Sequence, residues 1–399
     1  MKELSQLAGQ VQASTTMAID ALAKQMKADG VDVIGFGAGE PDFNTPDHIK
    51  AAAAQAIADN LTRYTPASGT PALKQAVCDR MRADCGVEYQ PSQVVVTSGA
   101  KHCVYIALRA LVNPGDEVIL PAPYWVSYLE LIKMVGGVPV IVTAEESDGF
   151  KVTAGQIRQA ITPRTKALIL NNPSNPTGMV YGREELQGIA QACVDQEVYL
   201  ISDEIYYSLL YDGVGFTSVA TLGEQVKRHT ILINGVSKAY AMTGWRIGYA
   251  LAEEGVTKVM ANYLSHSTGS PCSISQAAAV AALNGPQDGV EEMRRAFEQR
   301  RDYLVERMNR IEGVSCLKPE GAFYAMMNVE RLLGSTICGE RIQTSDDFCA
   351  AFLKHGLVAT VPCSGFGAAS FVRWSYATSM ENIQKGLDRL EQFLAKTEK

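Results

Sequence analysis

Short apolar runs ending in small or turn-forming residues recur through the first two-thirds of the chain. They read VVVTSG near residue 94, EVILPAP near 117, VPVIVT near 138 and KALILNNP near 166. Further on come YLISDE at 199–204, TILINGVSK at 230–238 and WRIGYALA at 245–252. Their apolar character is continuous rather than alternating, which predicts strands buried on both faces. Between them lie stretches with helical spacing: KHCVYIALRALV (101–112), WVSYLELIKMV (125–135) and REELQGIAQACVDQ (183–196). Alternation of strand and helix predicts an α/β fold, a mostly parallel sheet with helices on both faces. In such sheets ligands sit at the carboxyl ends of the strands. The polar residues that follow these runs are Ser98-Gly99, Asn171-Asn172, Asp203 and Ser237-Lys238.

After about residue 290 the texture changes. A long charged amphipathic helix, EEMRRAFEQRRDYLVERMNRI, leads to short strands and a final helix. This predicts a second, smaller α+β domain built from residues 1–45 and 291–399, beside a large ligand-binding domain over 46–290. A length of 399 residues fits such a division, since it exceeds the usual size of one core.

A net charge of −7 with no long basic run argues against nucleic acid or an acidic membrane as partner. The longest stretch free of Asp, Glu, Lys and Arg, 259–287, is rich in Ser, Asn and Gln and contains Pro271, so it is no membrane span. The N-terminus lacks the apolar core of a secretory signal. Nine cysteines, with no Cys-x-x-Cys pair, suit reduced thiols in a cytoplasmic protein better than a disulfide framework or a metal site.

GFGAGEPDF (35–43) is glycine-rich, but its spacing is not that of a dinucleotide fingerprint, and Pro41 breaks any helix that should follow. There is no phosphate loop with Gly-Lys-Ser/Thr and no His-Glu-x-x-His metal motif. In SGAKHCVYIAL (98–108), small residues between a strand and a helix leave backbone N–H groups free at a positive helix end. Gly99, Ala100 and Lys101 therefore become an anion site if other ligands converge there. In NNPSNPTG (171–178) two Asn-Pro steps impose extended and turn geometry, and Asn175 is held rigidly between prolines. Asp203 ends a central strand, where a buried carboxylate requires a cation. A protonated cofactor ring nitrogen meets that need, and so does a structural arginine. Lys238 follows another apolar strand, and a desolvated ammonium there has a lowered pKa and becomes nucleophilic. Arg246, set among apolar neighbours, needs an anion, and its planar fork suits phosphate. An aldehyde for the lysine, a pyridinium for the aspartate and a phosphate for the arginine together describe pyridoxal 5'-phosphate.

The chain resembles the class I (fold type I) pyridoxal-phosphate aminotransferases, and is most similar to the bacterial aspartate aminotransferase subgroup. The resemblance runs nearly end to end, through FGAGEPDF, RYTPASGTPALKQAV, VVTSGAKHCV, PYWVSY, NNPSNPTG, SDEIY, SKAYAMTGWRIGY, PEGAFY and VRWSYATS. It implies that Lys238 forms the Schiff base with the cofactor and then serves as the base that moves the substrate proton. It implies that Asp203 holds the ring nitrogen protonated, that Tyr206 and Asn175 bond the ring oxygen, and that Trp125 stacks on the ring. Gly99, Ala100, Lys101, Ser237 and Arg246 would surround the phosphate, with Tyr64 reaching the phosphate of the neighbouring subunit in a homodimer with shared sites. Arg373 would grip the substrate α-carboxylate, with Gly37 and Asn175 close by. The plainer readings of Trp125 as a core aromatic, Arg373 as an ion-pair partner and Tyr64 as a dimer contact stand beside these.

The resemblance further implies a ping-pong exchange of an amino acid for a 2-oxo acid. Lys101, with Ser14, Thr15 and Thr16 nearby, is the expected partner of a second substrate carboxylate. With Trp125 it points to aspartate and 2-oxoglutarate as substrates. Broad, aromatic or prephenate specificity is an alternative, as is a pyridoxal-phosphate C–S β-lyase on the same scaffold. A non-enzymatic regulator would need a DNA-binding segment, and residues 1–30 offer neither a basic patch nor a helix-turn-helix.

Overall fold

Seven of the apolar runs become the strands of one sheet. In the computed structural model, which describes residues 4–13 and 15–398, they lie side by side. The order is Val94–Thr97, Gly248–Leu251, Thr230–Gly235, Tyr199–Asp203, Thr165–Asn171, Glu117–Ala122 and Val138–Thr143. From Thr230–Gly235 to Val138–Thr143 every neighbouring pair is parallel. Thr230–Gly235 is buried along its whole length, as its unbroken apolar sequence requires.

The sheet is mostly parallel, as expected, with one strand reversed, and one expectation of burial is corrected. Gly248–Leu251 runs antiparallel to both of its neighbours. The chain between Gly235 and Gly248 contains the short turn Thr243–Trp245 and no crossover helix, so it comes straight back against the strand it left. Val138–Thr143 is not buried on both faces. It is the edge strand, with Val138 45% and Ile141 42% exposed. Continuous apolar composition does not separate a central strand from an edge one.

The expected helices fall at Ala100–Leu111, Val126–Met134 and Arg183–Val194. Cys103, Val104, Ala107 and Leu108 turn one face of Ala100–Leu111 into the core on one side of the sheet, against Val95, Ile233 and Ala250. Leu186, Ile189 and Cys193 do the same for Arg183–Val194 against Leu168 and Leu200. Among the described residues no helix is long and apolar enough to cross a membrane.

The C-terminal part builds a four-stranded antiparallel sheet in the order Val361–Pro362, Phe371–Ser375, Tyr324–Asn328 and Ser315–Cys316. The helices Asp288–Met308 and Met380–Leu394 pack with it through Phe297, Leu304, Leu387, Leu390 and Trp374. The N-terminal strand Ile34–Gly35 pairs in parallel with Val358–Ala359, and the amide of Ser375 donates to the carbonyl of Phe36 at 2.9 Å. A glycine at 386 makes this join possible, because a Cβ there would lie 2.5 Å from the Phe36 ring. Residues 36–43 then run from the small sheet across the strand ends of the large one.

Candidate active site

Three adjacent strands deliver the chemistry. Asn171 and Asp203 are partners in register at the carboxyl ends of Thr165–Asn171 and Tyr199–Asp203, and Lys238 follows the end of Thr230–Gly235. They open into a cavity of about 420 Å³ whose walls also include Trp125, Asn175, Tyr206, Arg246 and Arg373. The rule that ligands collect at the carboxyl ends of parallel strands is met.

Asp203 is 3% exposed and faces no cation at ion-pair distance among the described residues. Burial pushes its carboxyl up to about 6, and hydrogen bonds from the Tyr128 hydroxyl (2.7 Å) and the Ile205 amide (3.2 Å) pull the other way. A buried carboxylate of this kind is short of one positive partner. Lys238 donates from Nζ to the carbonyl of Gly39, and Nζ lies 5.9 Å from the Tyr206 ring and 5.7 Å from the Phe323 ring. Desolvation lowers its pKa to about 8, against the raising pull of Glu40. An amine so placed is poised to attack a carbonyl.

Arg373 is 1% exposed. Its two terminal nitrogens donate to Asn175 Oδ1 at 3.1 Å and to the Gly37 carbonyl at 3.0 Å, and its Nε has no partner. The guanidinium lies 4.4 Å from the Tyr324 ring and pairs with no carboxylate among the described residues. A buried, uncompensated guanidinium lining a cavity is a receptor for an anion. Asn175, its backbone amide bonded to Asn171 Oδ1 at 2.7 Å, gives its side-chain oxygen to Arg373 and keeps its amide hydrogens for a ligand. The Tyr206 hydroxyl meets that of Tyr324 at 3.0 Å.

The far end of the cavity is an anion cradle. Gly99 caps the helix Ala100–Leu111 with φ +90° and no side-chain cap; the His102 amide donates to the Gly99 carbonyl at 3.0 Å, which leaves the Ala100 and Lys101 N–H groups of the positive helix end without a partner among the described residues. A Cβ on Gly99 would lie 2.2 Å from Arg246 Nη2, and one on Gly248 would lie 2.2 Å from the Ala100 nitrogen. Arg246 donates to the carbonyls of Thr243 (2.9 Å) and Ser98 (3.3 Å), and Ser237 is buried beside it. One expectation is corrected here: Arg246 is not enclosed by its apolar neighbours but stands open to the cavity, with φ +56° turning it out of the strand that follows. That is the posture of a ligand-facing cation.

Lys101 also lines the cavity, its ammonium 4.9 Å from the centre of the Trp125 ring, and desolvation with the nearby Arg246 lowers its pKa. Thr16 reaches the same wall, whereas Ser14 lies outside the described residues. Tyr64 is fully exposed and does not line the cavity of its own chain. Sequence reasoning missed Tyr128, Tyr324 and the Gly39 carbonyl. Tyr128 and Tyr324 carried a signal, as tyrosines inside the PYWVSY and PEGAFY stretches; the carbonyl had none.

These groups fit an aldehyde cofactor with a basic ring nitrogen and a phosphate: the amine, the cation-poor carboxylate and the anion cradle are each left wanting the partner that pyridoxal phosphate brings. Residues 31–390 match the model of the family "Aminotransferase class I and II", so the chain belongs to the pyridoxal-phosphate-dependent aminotransferases of fold type I. The particular relatives narrow the class. An aspartate aminotransferase of Bacillus sp. (strain YM-2) is 49% identical over 99% of this chain and 100% of the relative. An aspartate/prephenate aminotransferase of Cereibacter sphaeroides is 45% identical over 99% of each. The crystal structure of the Rhizobium meliloti aspartate aminotransferase superimposes with a TM-score of 0.96 at 42% identity, covering both chains fully. That of Thermus thermophilus with maleate gives 0.92 at 40% identity, over 98% of this chain and 100% of the other.

Proposed function

We propose that the protein transfers the amino group of aspartate to 2-oxoglutarate in a ping-pong cycle. The observation that carries the reading is the buried, uncompensated Arg373 guanidinium in the same cavity as Lys238, with a second cation, Lys101, also on its wall. Two cations at separate points match a dicarboxylic amino acid. The names of the relatives, and the maleate, a dicarboxylate, in the Thermus structure, support the same choice. Arg373 binds the α-carboxylate in a two-pronged grip, oriented by Asn175 and the Gly37 carbonyl. Lys101 takes the second carboxylate. When bound, the cofactor supplies a carbonyl carbon for amine exchange and a protonated ring that accepts the electrons of the substrate Cα–H bond. Lys238 Nζ removes the proton from Cα and redelivers it, and its lowered pKa suits both directions near neutral pH. Asp203 keeps the ring nitrogen charged, Tyr206 and Asn175 bond the ring oxygen, and Trp125 closes one side. Gly99, Ala100, Ser237 and Arg246 hold the phosphate.

The same reading takes residues 46–290 as the cofactor domain and 1–45 with 291–399 as a smaller domain that closes over substrate. It also takes the working form as a homodimer in which Tyr64 serves the partner's phosphate site. Nine unpaired cysteines support a reducing compartment, the cytoplasm.

The test uses the cofactor-loaded protein with aspartate and 2-oxoglutarate, scored by oxaloacetate and glutamate. Lys101→Ser is expected to cut kcat/KM for aspartate by roughly 10- to 100-fold, the worth of one hydrogen bond to a charged group, and to leave alanine within about twofold. Equal losses on both substrates count against Lys101. Pyruvate and ammonia released with no 2-oxo acid present would make the protein a β-lyase instead. The Cereibacter relative's name favours one second reading, prephenate as an additional acceptor, which the same assay scores.

A further inference from the structure

The helix Val126–Met134 begins at the cavity, and its first turn presents two aromatic rings three residues apart. Trp125 forms a wall. Tyr128, 2% exposed, passes behind it, its ring perpendicular to the indole at 5.2 Å between centres. Its hydroxyl reaches Asp203 Oδ2 at 2.7 Å, within the range of a charge-assisted bond. The other carboxylate oxygen accepts from the Ile205 amide at 3.2 Å. One donor on each oxygen fixes the plane of the carboxylate. Of the two, the phenol bond is the shorter, and it is the only one that mutation can remove without touching the backbone. Tyr128 has no other polar partner among the described residues.

The geometry points to Tyr128 as a positioning residue for the reaction: its hydroxyl holds the Asp203 carboxylate ionised and in one orientation toward the ring nitrogen of the cofactor. This rests on the reading of Asp203 given above. Burial works against the charge on Asp203, and the phenol is the largest of the influences opposing burial. Without it Asp203 would hold a proton more tightly and would support a charged ring nitrogen less well. Removal of the substrate proton would then be slower, and the pH-dependent colour of the loaded protein would change at higher pH.

The test compares wild type, Tyr128→Phe and Asp203→Asn, each loaded with pyridoxal phosphate. Phenylalanine keeps the ring and its contact with Trp125 and removes one oxygen. For Tyr128→Phe the midpoint of the visible absorbance titration is expected to rise by about half to one pH unit, and kcat for aspartate to fall about tenfold with KM within about twofold. Asp203→Asn is expected to shift the midpoint the same way and further. A purely structural Tyr128 would move neither the midpoint nor kcat selectively. An unchanged midpoint and kcat in Tyr128→Phe, with both altered in Asp203→Asn, overturns the assignment of Tyr128 alone. An unaltered Asp203→Asn overturns the reading of Asp203 and this inference with it. Should Tyr128→Phe not fold, a ring-fluorinated tyrosine at 128, a stronger donor of nearly the same shape, is expected to lower the midpoint. No shift there overturns the proposal.

Discussion

Lys238 and Glu204 are neighbours in one physical problem, a charge drawn out of water. Loss of hydration brings the pKa of the Lys238 ammonium down to about 8, so that it gives up its proton far more readily than a surface lysine. The same loss pushes Glu204 up to about 7. Glu204 follows Asp203 and is 1% exposed. One of its oxygens accepts from Ser202 Oγ (2.9 Å), Ser218 Oγ (3.1 Å) and the Val219 amide (3.1 Å), and the other has no partner. Its folded pKa lies above the ordinary glutamate value, so the folded protein holds this proton more tightly than the unfolded chain. The resulting stability is fully present below about pH 4.5 and is lost as the pH rises to about 7. The shift corresponds to about 3 kcal/mol. Glu204→Gln cannot titrate, so its stability relative to wild type is expected to climb by that order between pH 4.5 and 7.5. Urea unfolding at both pH values checks it, and a constant difference would mean that Glu204 stays ionised in the fold. At this scale the sequence was readable where a charged residue followed an apolar strand, as Asp203 and Lys238 do. Tyr128 was not, because nothing along the chain says that residue 128 and residue 203 meet.

At the level of elements, the anion cradle is a contact between a strand and a helix start that carries no spare atom. Strand Gly248–Leu251 passes so close to the first turn of Ala100–Leu111 that a Cβ on Gly248 would meet the backbone of Gly99 and Ala100 at 2.2 to 2.7 Å. Backbone cannot swing aside as a side chain can, so strand and helix must separate. Gly248→Ala is expected to cost about 1–3 kcal/mol of stability and to weaken retention of the cofactor on gel filtration, because the helix N–H groups and Arg246 move apart. Gly255→Ala, with nothing within 4 Å, is the matching control, and alanine favours its helix. A Gly248→Ala protein that keeps wild-type melting and cofactor would show that the strand can shift freely. Elements were legible where composition and length agreed, as for the helices at 100–111 and 183–194. The direction of Gly248–Leu251 was hidden, since it depends on the lack of a crossover helix. The exposure of Val138–Thr143 was hidden too, since an edge strand reads like a central one.

Across the whole molecule the cavity is assembled from distant parts: the segment near Gly39, three strand ends of the large sheet, and Arg373 and Tyr324 from the small one. Tyr64, Gly37 and Gly99 are the residues of the proposed site that do not line the cavity; Gly37 and Gly99 touch the lining residues Arg373 and Arg246, whereas Tyr64 points into solvent. The Tyr64 loop is nonetheless tied down. Ser273 Oγ donates to the Leu61 carbonyl at 2.5 Å, Gln276 Nε2 donates to Thr65 Oγ1 at 3.0 Å, and the Thr65 amide donates to Ser270 Oγ at 3.5 Å. The result is an aromatic ring fully in solvent on an anchored loop, with Ile57, Leu61 and Val259 also about half exposed. Fixing a bare phenol outward has a purpose if a second copy supplies the site it enters. Subunit complementation tests this. Lys238→Ala has no amine at either site of a dimer, and Tyr64→Ala weakens both of its sites. In a mixed dimer, the site on the Tyr64→Ala chain keeps its own Lys238 and receives Tyr64 from the Lys238→Ala chain. After the two variants are unfolded together and refolded, activity is expected to rise above the mean of the separately refolded proteins, toward one intact site per mixed dimer. If Tyr64 serves its own chain, every site in the mixture carries one defect or the other, and the activity stays at that mean.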